Sequence, residues 1–510
     1  MTVSELPTTD LDADQSLGGQ VRRGTLWLGA TSVMMRLSNV AIMAVVARLI
    51  TPDEFGVFTL AMVAHAAIAS FAELGIASAI ARRDLDVRSI APSAVTISVG
   101  VSAVLGGLMA VFAMPIATVL GSASAAPALR ILSISIALTG VFVVPAAQLQ
   151  RDFRQRDLFL SNLVGTIVGA ALLIGLAMAG DGVLAFAWSR VGGQLVTGTM
   201  IVHALTSRHR PGWNRASVSL LLRFGLPLAA ANLLSQAVAN VDYVFVGRTL
   251  SLRDVGLYTL AFNISSWATS VIGSVISGVA LPGFSAVRER QGDVRRALFT
   301  ATRAVALVAF PIAAVTSGLA SPLITTVYGG RWADAAPVVV ILSVYGAAGA
   351  VGQLVANILI VWGRTVVLFT VQVVVLVVLV PALAVGITRM GLVGAGLAHV
   401  ATVLLVTLPV YLYSLRKALG GGLGSMARGA WGPLVAALAC GATAHLVALS
   451  LSGSPAWVQL VAGGTAAGVV YLLLTARQLG VLLPPAARAR LDRAIGRRGA
   501  GQARDDVGSQ

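Results

Sequence analysis

The chain has 510 residues, of which 57% are hydrophobic and 11% charged, with a mean hydropathy of +0.88 and a formal net charge of +16. Soluble domains carry about a quarter charged residues, so this composition excludes an ordinary soluble enzyme and describes an integral membrane protein. The apolar runs are long and unbroken, which excludes a transmembrane β-barrel with its short alternating strands. The fold class is all-α and polytopic.

Residues 1–23 come first, with Glu5, Asp10, Asp12 and Asp14 but no apolar core of the kind a signal peptide needs. They are expected to be a disordered cytoplasmic tail. About fourteen transmembrane helices follow on the criterion of about 20 apolar residues each. These are 24–48, 55–80, 91–113, 125–148, 158–179, 182–206, 219–247, 255–284, 297–327, 335–361, 365–387, 391–414, 429–450 and 457–482. Pro227, Pro282, Pro311 and Pro381 fall inside these runs and are expected to kink or end them. Cys440, the one cysteine, lies in an apolar run, so no disulfide forms within the chain and a small buried hydrophobe is expected. Residues 484–510 are polar and Arg-rich, a tail expected to sit near anionic lipid in the cytoplasm.

Basic residues alternate from loop to loop. Arg22 and Arg23, then Arg82, Arg83 and Arg88, then Arg151, Arg154 and Arg156 fall on one side. Arg208, Arg210, Arg215 and Arg223, then Arg288, Arg290, Arg295 and Arg296, Arg364, and Arg416, Lys417 and Arg428 continue it, and the tail from Arg477 to Arg504 closes it. Together these are 27 of the 36 Lys and Arg residues. Cytoplasmic loops hold the Lys/Arg excess in membrane proteins, so both termini are expected in the cytoplasm, at the plasma membrane. The same distribution accounts for most of the basic charge without nucleic acid, and membrane lipid is the expected partner.

One stretch occurs twice. Residues 47–62, ARLITPDEFGVFTLAM, align without a gap to residues 247–262, GRTLSLRDVGLYTLAF. Arg48 matches Arg248, Gly56 matches Gly256, and Thr59, Leu60 and Ala61 match Thr259, Leu260 and Ala261. Each copy reads as a helical hairpin with a charged turn, and such internal symmetry marks transporters.

The first hairpin resembles the signature of Wzx-type flippases, bacterial polysaccharide-unit exporters of the multidrug/oligosaccharidyl-lipid/polysaccharide (MOP) superfamily. The matching positions are Arg48, Leu49, Pro52, Asp53, Glu54, Phe55, Gly56, Phe58, Leu60 and Ala61. Asn240, Asp242, Gly247, Arg248, Gly256, Tyr258, Ala261 and Asn263 resemble the family's second hairpin, and QLQRDFRQRDLF (148–159) is similar to its basic loop after the fourth span. The resemblance implies two six-helix lobes in pseudo-two-fold arrangement, 24–206 and 207–414, forming a V around a central cavity, plus two extra C-terminal helices in 415–483. It also implies transport of a polyprenyl-linked oligosaccharide from the cytoplasmic to the outer leaflet. A polysaccharide polymerase or glycosyltransferases would be compatible partners.

Ionisable residues inside a span are functional candidates by default. Arg36, with Asn39 three residues on, suits an anionic headgroup such as a diphosphate, because Arg binds phosphate through two parallel donors. Equally, Arg36 could pair with Glu73 and lock the first hairpin, and Glu73 is otherwise a proton or cation site. Asn232, Gln236 and Asn240 recur every four residues, one polar stripe that either lines a sugar cavity or bonds neighbouring helices. Asp242 and Arg248 read as an outer gate pair, with a solvated end residue the alternative for Asp242. Arg48 and Arg248 are repeat mates that either gate or snorkel to the interface. Arg190 with Gln194, and Gln353 with Asn357, are further pairs four apart, and Arg303 reads as interfacial.

His65, His203, His399 and His445 lie on different spans and read as packing residues, so no metal site is expected. No catalytic residue and no cofactor is expected, and no phosphate-binding loop for ATP occurs. A lipid II flippase or a drug/cation antiporter of the same superfamily remains the alternative. A membrane-embedded glycosyltransferase or polymerase is a less favoured alternative, because it would want a sizeable outer loop with catalytic acids and the outer loops are short. If Arg36 binds the headgroup, Arg36→Ala abolishes transport in cells while the protein is still inserted at normal levels. Full activity of that variant would remove Arg36 from the site.

Overall fold

The computed structural model describes residues 41–73, 75–81, 87–205, 210–269, 294–476 and 478, and these are helical with short connections. The helices are α1 (41–49), α2 (Pro52–Ala72), α3 (Ile76–Ala81), α4 (Val87–Val111), α5 (Ala113–Val119), α6 (Ala126–Arg151), α7 (Gln155–Met178), α8 (Gly182–Ala204), α9 (Arg215–Thr249) and α10 (Leu252–Ser265). Then come α11 (Val294–Gly318), α12 (Ala320–Val327), α13 (Ala336–Val361), α14 (Thr365–Thr402), α15 (Leu408–Leu419), α16 (Leu423–Ser450) and α17 (Ala456–Thr475). The chain divides into two compact units, Met1–Gly256 and Leu257–Gln510.

Among the described residues ten helical segments are long and apolar enough to cross a membrane. Fewer are found than the sequence predicts, for identifiable reasons. Most of 24–48 and the second half of 255–284 lie outside the described residues. The α8 helix, which carries Arg190, Gln194 and His203, is not among the ten. The predicted spans 365–387 and 391–414 belong to one helical run, Thr365–Leu419. That run folds back at Gly391 (φ 58°, ψ −136°), where Gly386 and Gly394 meet backbone to backbone. Residues eight apart in a straight helix are separated by about 12 Å, so this contact requires a reversal. The predicted run 297–327 is likewise two helices, α11 and α12. Pro227, Pro311 and Pro381 lie within helices, and Pro282 lies outside the described residues.

The repeat seen in sequence is a repeat in structure. Thr51 caps α2 through a capping box: its N–H and hydroxyl donate to Glu54 Oε2 at 2.7 and 3.0 Å, and Glu54 N–H donates back to Thr51 Oγ1 at 3.3 Å. Two hundred residues on, the Ser251 N–H and hydroxyl donate to Asp254 Oδ2 at 3.1 and 2.6 Å, and Asp254 N–H donates to Ser251 Oγ at 3.2 Å. Each box satisfies donors at a helix start that would otherwise be orphaned.

The symmetry extends to packing in the first unit. A Cβ at Gly56 would collide with the Leu252 carbonyl, and a Cβ at Gly256 would collide with the Pro52 carbonyl. Each glycine thus seats the first residue of the other hairpin's second helix.

Later elements repeat as well. The α5 helix, a 3-10 turn (Ala123–Ala125) and α6 match α12, a 3-10 turn (Gly330–Ala335) and α13. Gly121 and Gly329 take the same φ of 99° after the short helices.

Small residues set the remaining crossings, as expected where helices pack in lipid. In the first unit Gly106 of α4 meets the Ser133 carbonyl and Gly140 of α6 meets the Ser98 carbonyl across the α4–α6 contact, and Gly165 of α7 meets Thr197 of α8. In the second unit Gly318 of α11 and Gly441 of α16 do the same, beside the buried Leu319–Cys440–Ala444 cluster. Gly56→Ala is therefore expected to destabilise the protein by about 1–3 kcal/mol, the usual cost of overpacking. Gly107→Ala, where an added methyl meets open space, should be neutral or slightly stabilising. Thermal melts of the two purified variants check this.

Candidate functional site

The first unit holds a cavity of about 740 Å³. Its walls come from Ile42 of α1, Glu73 at the end of α2, Ala77 of α3, and the facing surfaces of α6, α7 and α8. Gly165 and Gly169 on α7 and Gly193 on α8 line it with almost no side chain, and leave room for the polar groups around them. Those groups are Thr139 and Gln150 of α6, Asn162 and Thr166 of α7, and Ser189, Arg190, Gln194 and Thr197 of α8.

A hydrogen-bonded chain sets the wall on the α6–α8 side. Gln194 Nε2 donates to the Ser135 carbonyl at 3.1 Å and to Thr139 Oγ1 at 3.0 Å, which fixes the orientation of the amide. Gln194 Oε1 then accepts from the Ser135 hydroxyl. With its proton committed, Ser135 Oγ can only accept from His65, whose Nε2 lies 3.2 Å away. His65 therefore carries its proton on Nε2. Its ring is buried, at 3% exposure, as a polar group tied to partners should be. The sequence reading of His65 as a packing histidine omits this role, because Ser135 and Gln194 lie 70 and 129 positions away and no local spacing signals them.

Arg190 is the cation of the cavity. Its side chain is exposed, and among the described residues no hydrogen bond or ion pair holds it. Glu73 is exposed on the same cavity and makes no ion pair with Arg190. Arg36 and Asn39, the sequence's first choice for a headgroup site, lie outside the described residues, as does any Arg36–Glu73 pair.

On α9, Asn232, Gln236 and Asn240 are all half-buried. Asn240 Nδ2 donates to the Gln236 carbonyl at 2.8 Å and approaches Gln236 Oε1 at 3.5 Å, so this part of the stripe bonds along its own helix. Asn357 does the same to the Gln353 carbonyl on α13. Asp242 is wholly buried, which excludes a solvated end residue. Arg248 is exposed, and the two form no ion pair among the described residues. Arg48 is exposed at the end of α1. Among the described residues no three His, Cys, Asp or Glu side chains gather as metal ligands.

The sequence profile of a family described as "Polysaccharide biosynthesis protein" matches residues 45–337, more than half of the chain. The chain belongs to that family. Among similar proteins of this kind, the lipopolysaccharide biosynthesis protein WzxC of Escherichia coli (strain K12) is 24% identical over 86% of this chain and 89% of its own. The succinoglycan biosynthesis transport protein ExoT of Rhizobium meliloti (strain 1021) is 26% identical over 59% of this chain and 60% of its own.

Solved structures show the fold. The lipid II flippase MurJ, in an inward closed conformation, superposes with a TM-score of 0.71 at 13% identity, over 90% of this chain and all of that one. A multidrug resistance MATE family transporter of the MOP superfamily, facing inward, gives 0.59 at 18% identity over 76% and 99%. This family member is thus a multi-pass, all-helical membrane protein with a MurJ- and MATE-like fold.

Ser135→Ala would leave the His65 donor and the Gln194 acceptor without partners. A loss of about 1–3 kcal/mol is expected, read as a lower melting temperature. Ser189→Ala, which removes only a bond to the Gly169 carbonyl, should cost less.

Proposed function

We propose that the chain flips a polyprenyl-diphosphate-linked oligosaccharide from the cytoplasmic to the outer leaflet by alternating access. The observation that carries this reading is the cavity of the first unit. It combines a guanidinium that no described residue pairs, Arg190, with amides and hydroxyls from three helices, inside a bundle otherwise packed through apolar and small residues. A guanidinium suits phosphate oxygens. Amides and hydroxyls that both donate and accept suit a sugar, which does the same. The names of WzxC and ExoT and the fold shared with a lipid II flippase support the same substrate class.

In this reading the headgroup enters from the cytoplasm while the polyprenyl chain stays in lipid. The lobes 24–206 and 207–414 alternate. Arg36, Asn39, Asn232, Gln236 and Asn240 add to the path, and Arg48, Glu73, Asp242 and Arg248 serve as gate or coupling residues. Both termini lie in the cytoplasm of a bacterial plasma membrane. Glycosyltransferases supply the substrate inside and a polymerase consumes it outside. The membrane potential assists, since moving one charge across 100 mV is worth about 2.3 kcal/mol and the cell interior is negative.

The test is the lipid-linked sugar pool of a deletion strain. The expected result is accumulation in the cytoplasmic leaflet with loss of surface polymer, restored by the wild-type chain. Arg190→Ala should restore it at least tenfold less well at equal expression. Normal surface polymer with raised drug sensitivity would overturn the proposal in favour of an efflux function.

A further inference from the structure

The polar groups around the cavity of the first unit are not equally available. A backbone carbonyl can only accept a hydrogen bond, so a hydroxyl bonded to one has committed its single proton. Four hydroxyls of the wall are in that position. Thr139 donates to the Ser135 carbonyl at 3.0 Å and Thr166 to the Asn162 carbonyl at 2.8 Å, each back along its own helix. Ser189 donates to the Gly169 carbonyl at 2.7 Å and Thr197 to the Ser161 carbonyl at 3.3 Å, both across from α8 to α7. The Gln194 amide is spent as well, with its nitrogen on Ser135 and Thr139 and its oxygen on the Ser135 hydroxyl. These five side chains hold the wall together.

Gln150, Asn162 and Arg190 are left as donors on the same cavity. Gln150 sits at the end of α6, next to its last residue, where bulk water serves an amide equally well. Asn162 does not have that outlet. It lies seven residues inside the span Gln155–Met178, about 10 Å from its start, and it is exposed on the cavity. Its Nδ2 donates to the Leu158 carbonyl at 2.8 Å. Because that carbonyl can only accept, the orientation of the amide is fixed. One N–H and the Oδ1 acceptor remain, and no described residue takes either. Hydrocarbon cannot satisfy an amide at that depth, so its partner comes from the cavity.

The distance to the cation follows from the helix contact. Asn162 is seven residues, about 10 Å along the axis, from Gly169, whose carbonyl accepts from Ser189, the residue before Arg190. An anionic group held at Arg190 and a neutral group that both donates and accepts, held about 10 Å toward the α6–α7 end, would fit this wall together.

We propose that Asn162 is a specificity-determining residue that holds the hydroxyls of a neutral sugar unit while Arg190 holds the diphosphate. The hydroxyls of Thr139, Thr166, Ser189 and Thr197 and the amide of Gln194 shape the wall and do not read the sugar.

This assignment rests on the flippase reading, and the test separates the two. Binding to the purified full-length protein is measured with two probes, farnesyl diphosphate and farnesyl diphosphate carrying a glucosyl-glucose unit. The wild type is expected to bind the sugar-bearing probe more tightly. Asn162→Leu should lose about tenfold in affinity for that probe and keep its affinity for farnesyl diphosphate, whereas Arg190→Ala weakens both. An equal effect of Asn162→Leu on the two probes, or no effect on either, would overturn the assignment and leave the flippase reading standing. So would a wild type that binds both probes alike. A wild type that binds neither overturns both.

A second measurement does not depend on ligand affinity. With the native cysteine removed (Cys440→Ala), Asn162→Cys in liposomes is treated with methanethiosulfonate ethylsulfonate, a charged thiol reagent that stays in water. Labelling supports a cavity open to polar ligands at this depth. A thiol that stays unlabelled in the folded protein and reacts once it is denatured overturns the proposal.

Discussion

The first unit depends on a backbone crossing. Gly56 lies against the Leu252 carbonyl and Gly256 against the Pro52 carbonyl, so two helix starts meet with no side chain between them. Capping boxes at Thr51 and Ser251 set both starts, satisfying donors that would otherwise face hydrocarbon or each other. The caps fix where each helix begins, and the glycines fix how near the beginnings can come. Glu54 has a further part, because Gly182, the first residue of α8, packs directly on its carboxylate. Through that contact the crossing also locates the helix that carries Arg190 and Gln194.

The repeat behind the crossing is legible in the sequence because its elements are local, while the meeting of its two copies is not. A sixteen-residue window repeats with Arg, Gly and Thr-Leu-Ala at fixed spacing, and spacing is what a linear pattern holds. The spans were legible for the same reason, since apolar length is a property of a run. What escaped depends on distance across the fold. Gln194 showed only as a polar residue four positions from Arg190, and its bonds to Ser135 and Thr139 cross 55 to 59 positions. Asn162 and Thr166 of α7 gave no signal, because a lone amide or hydroxyl in an apolar run means nothing until the neighbouring helices are glycine at that level. Gly391 carries no signal of its own, since a reversal inside one hydrophobic run leaves the hydropathy unbroken, although the predicted spans 365–387 and 391–414 divide next to it. In sequence Phe153 is only part of a basic loop, and its left-handed backbone, where the corresponding turn between α13 and α14 has Gly363, shows only in the structure.

The polar residues of the first unit are arranged by cost. A buried histidine or glutamine without partners would be expensive in a membrane interior, and His65, Ser135, Gln194 and Thr139 consume one another's donors and acceptors. The guanidinium of Arg190 has no such arrangement among the described residues, and it is exposed on the cavity. A charge in that position is tolerable only where water or a ligand reaches it. The cavity and the cation belong together: the glycines of α7 and α8 open the space, and the guanidinium of Arg190 faces it.

These two features, the crossing and the cavity, share a helix. The α2 helix begins at the crossing with Pro52 and Gly56, contributes His65 to the bonded chain, and ends at Glu73 on the cavity wall. Gly56 and His65 are nine residues apart, about 13 Å along the helix axis. A helix of this length with a regular hydrogen-bond ladder moves as one body. Any opening of the crossing must therefore shift His65 against Ser135 or carry α6 and α8 with it. The second course keeps these hydrogen bonds, while the first breaks the one between His65 and Ser135. The bonded chain ties α2 to α6 and α8, so the helix that starts at the crossing and the helices that wall the cavity are joined by buried hydrogen bonds.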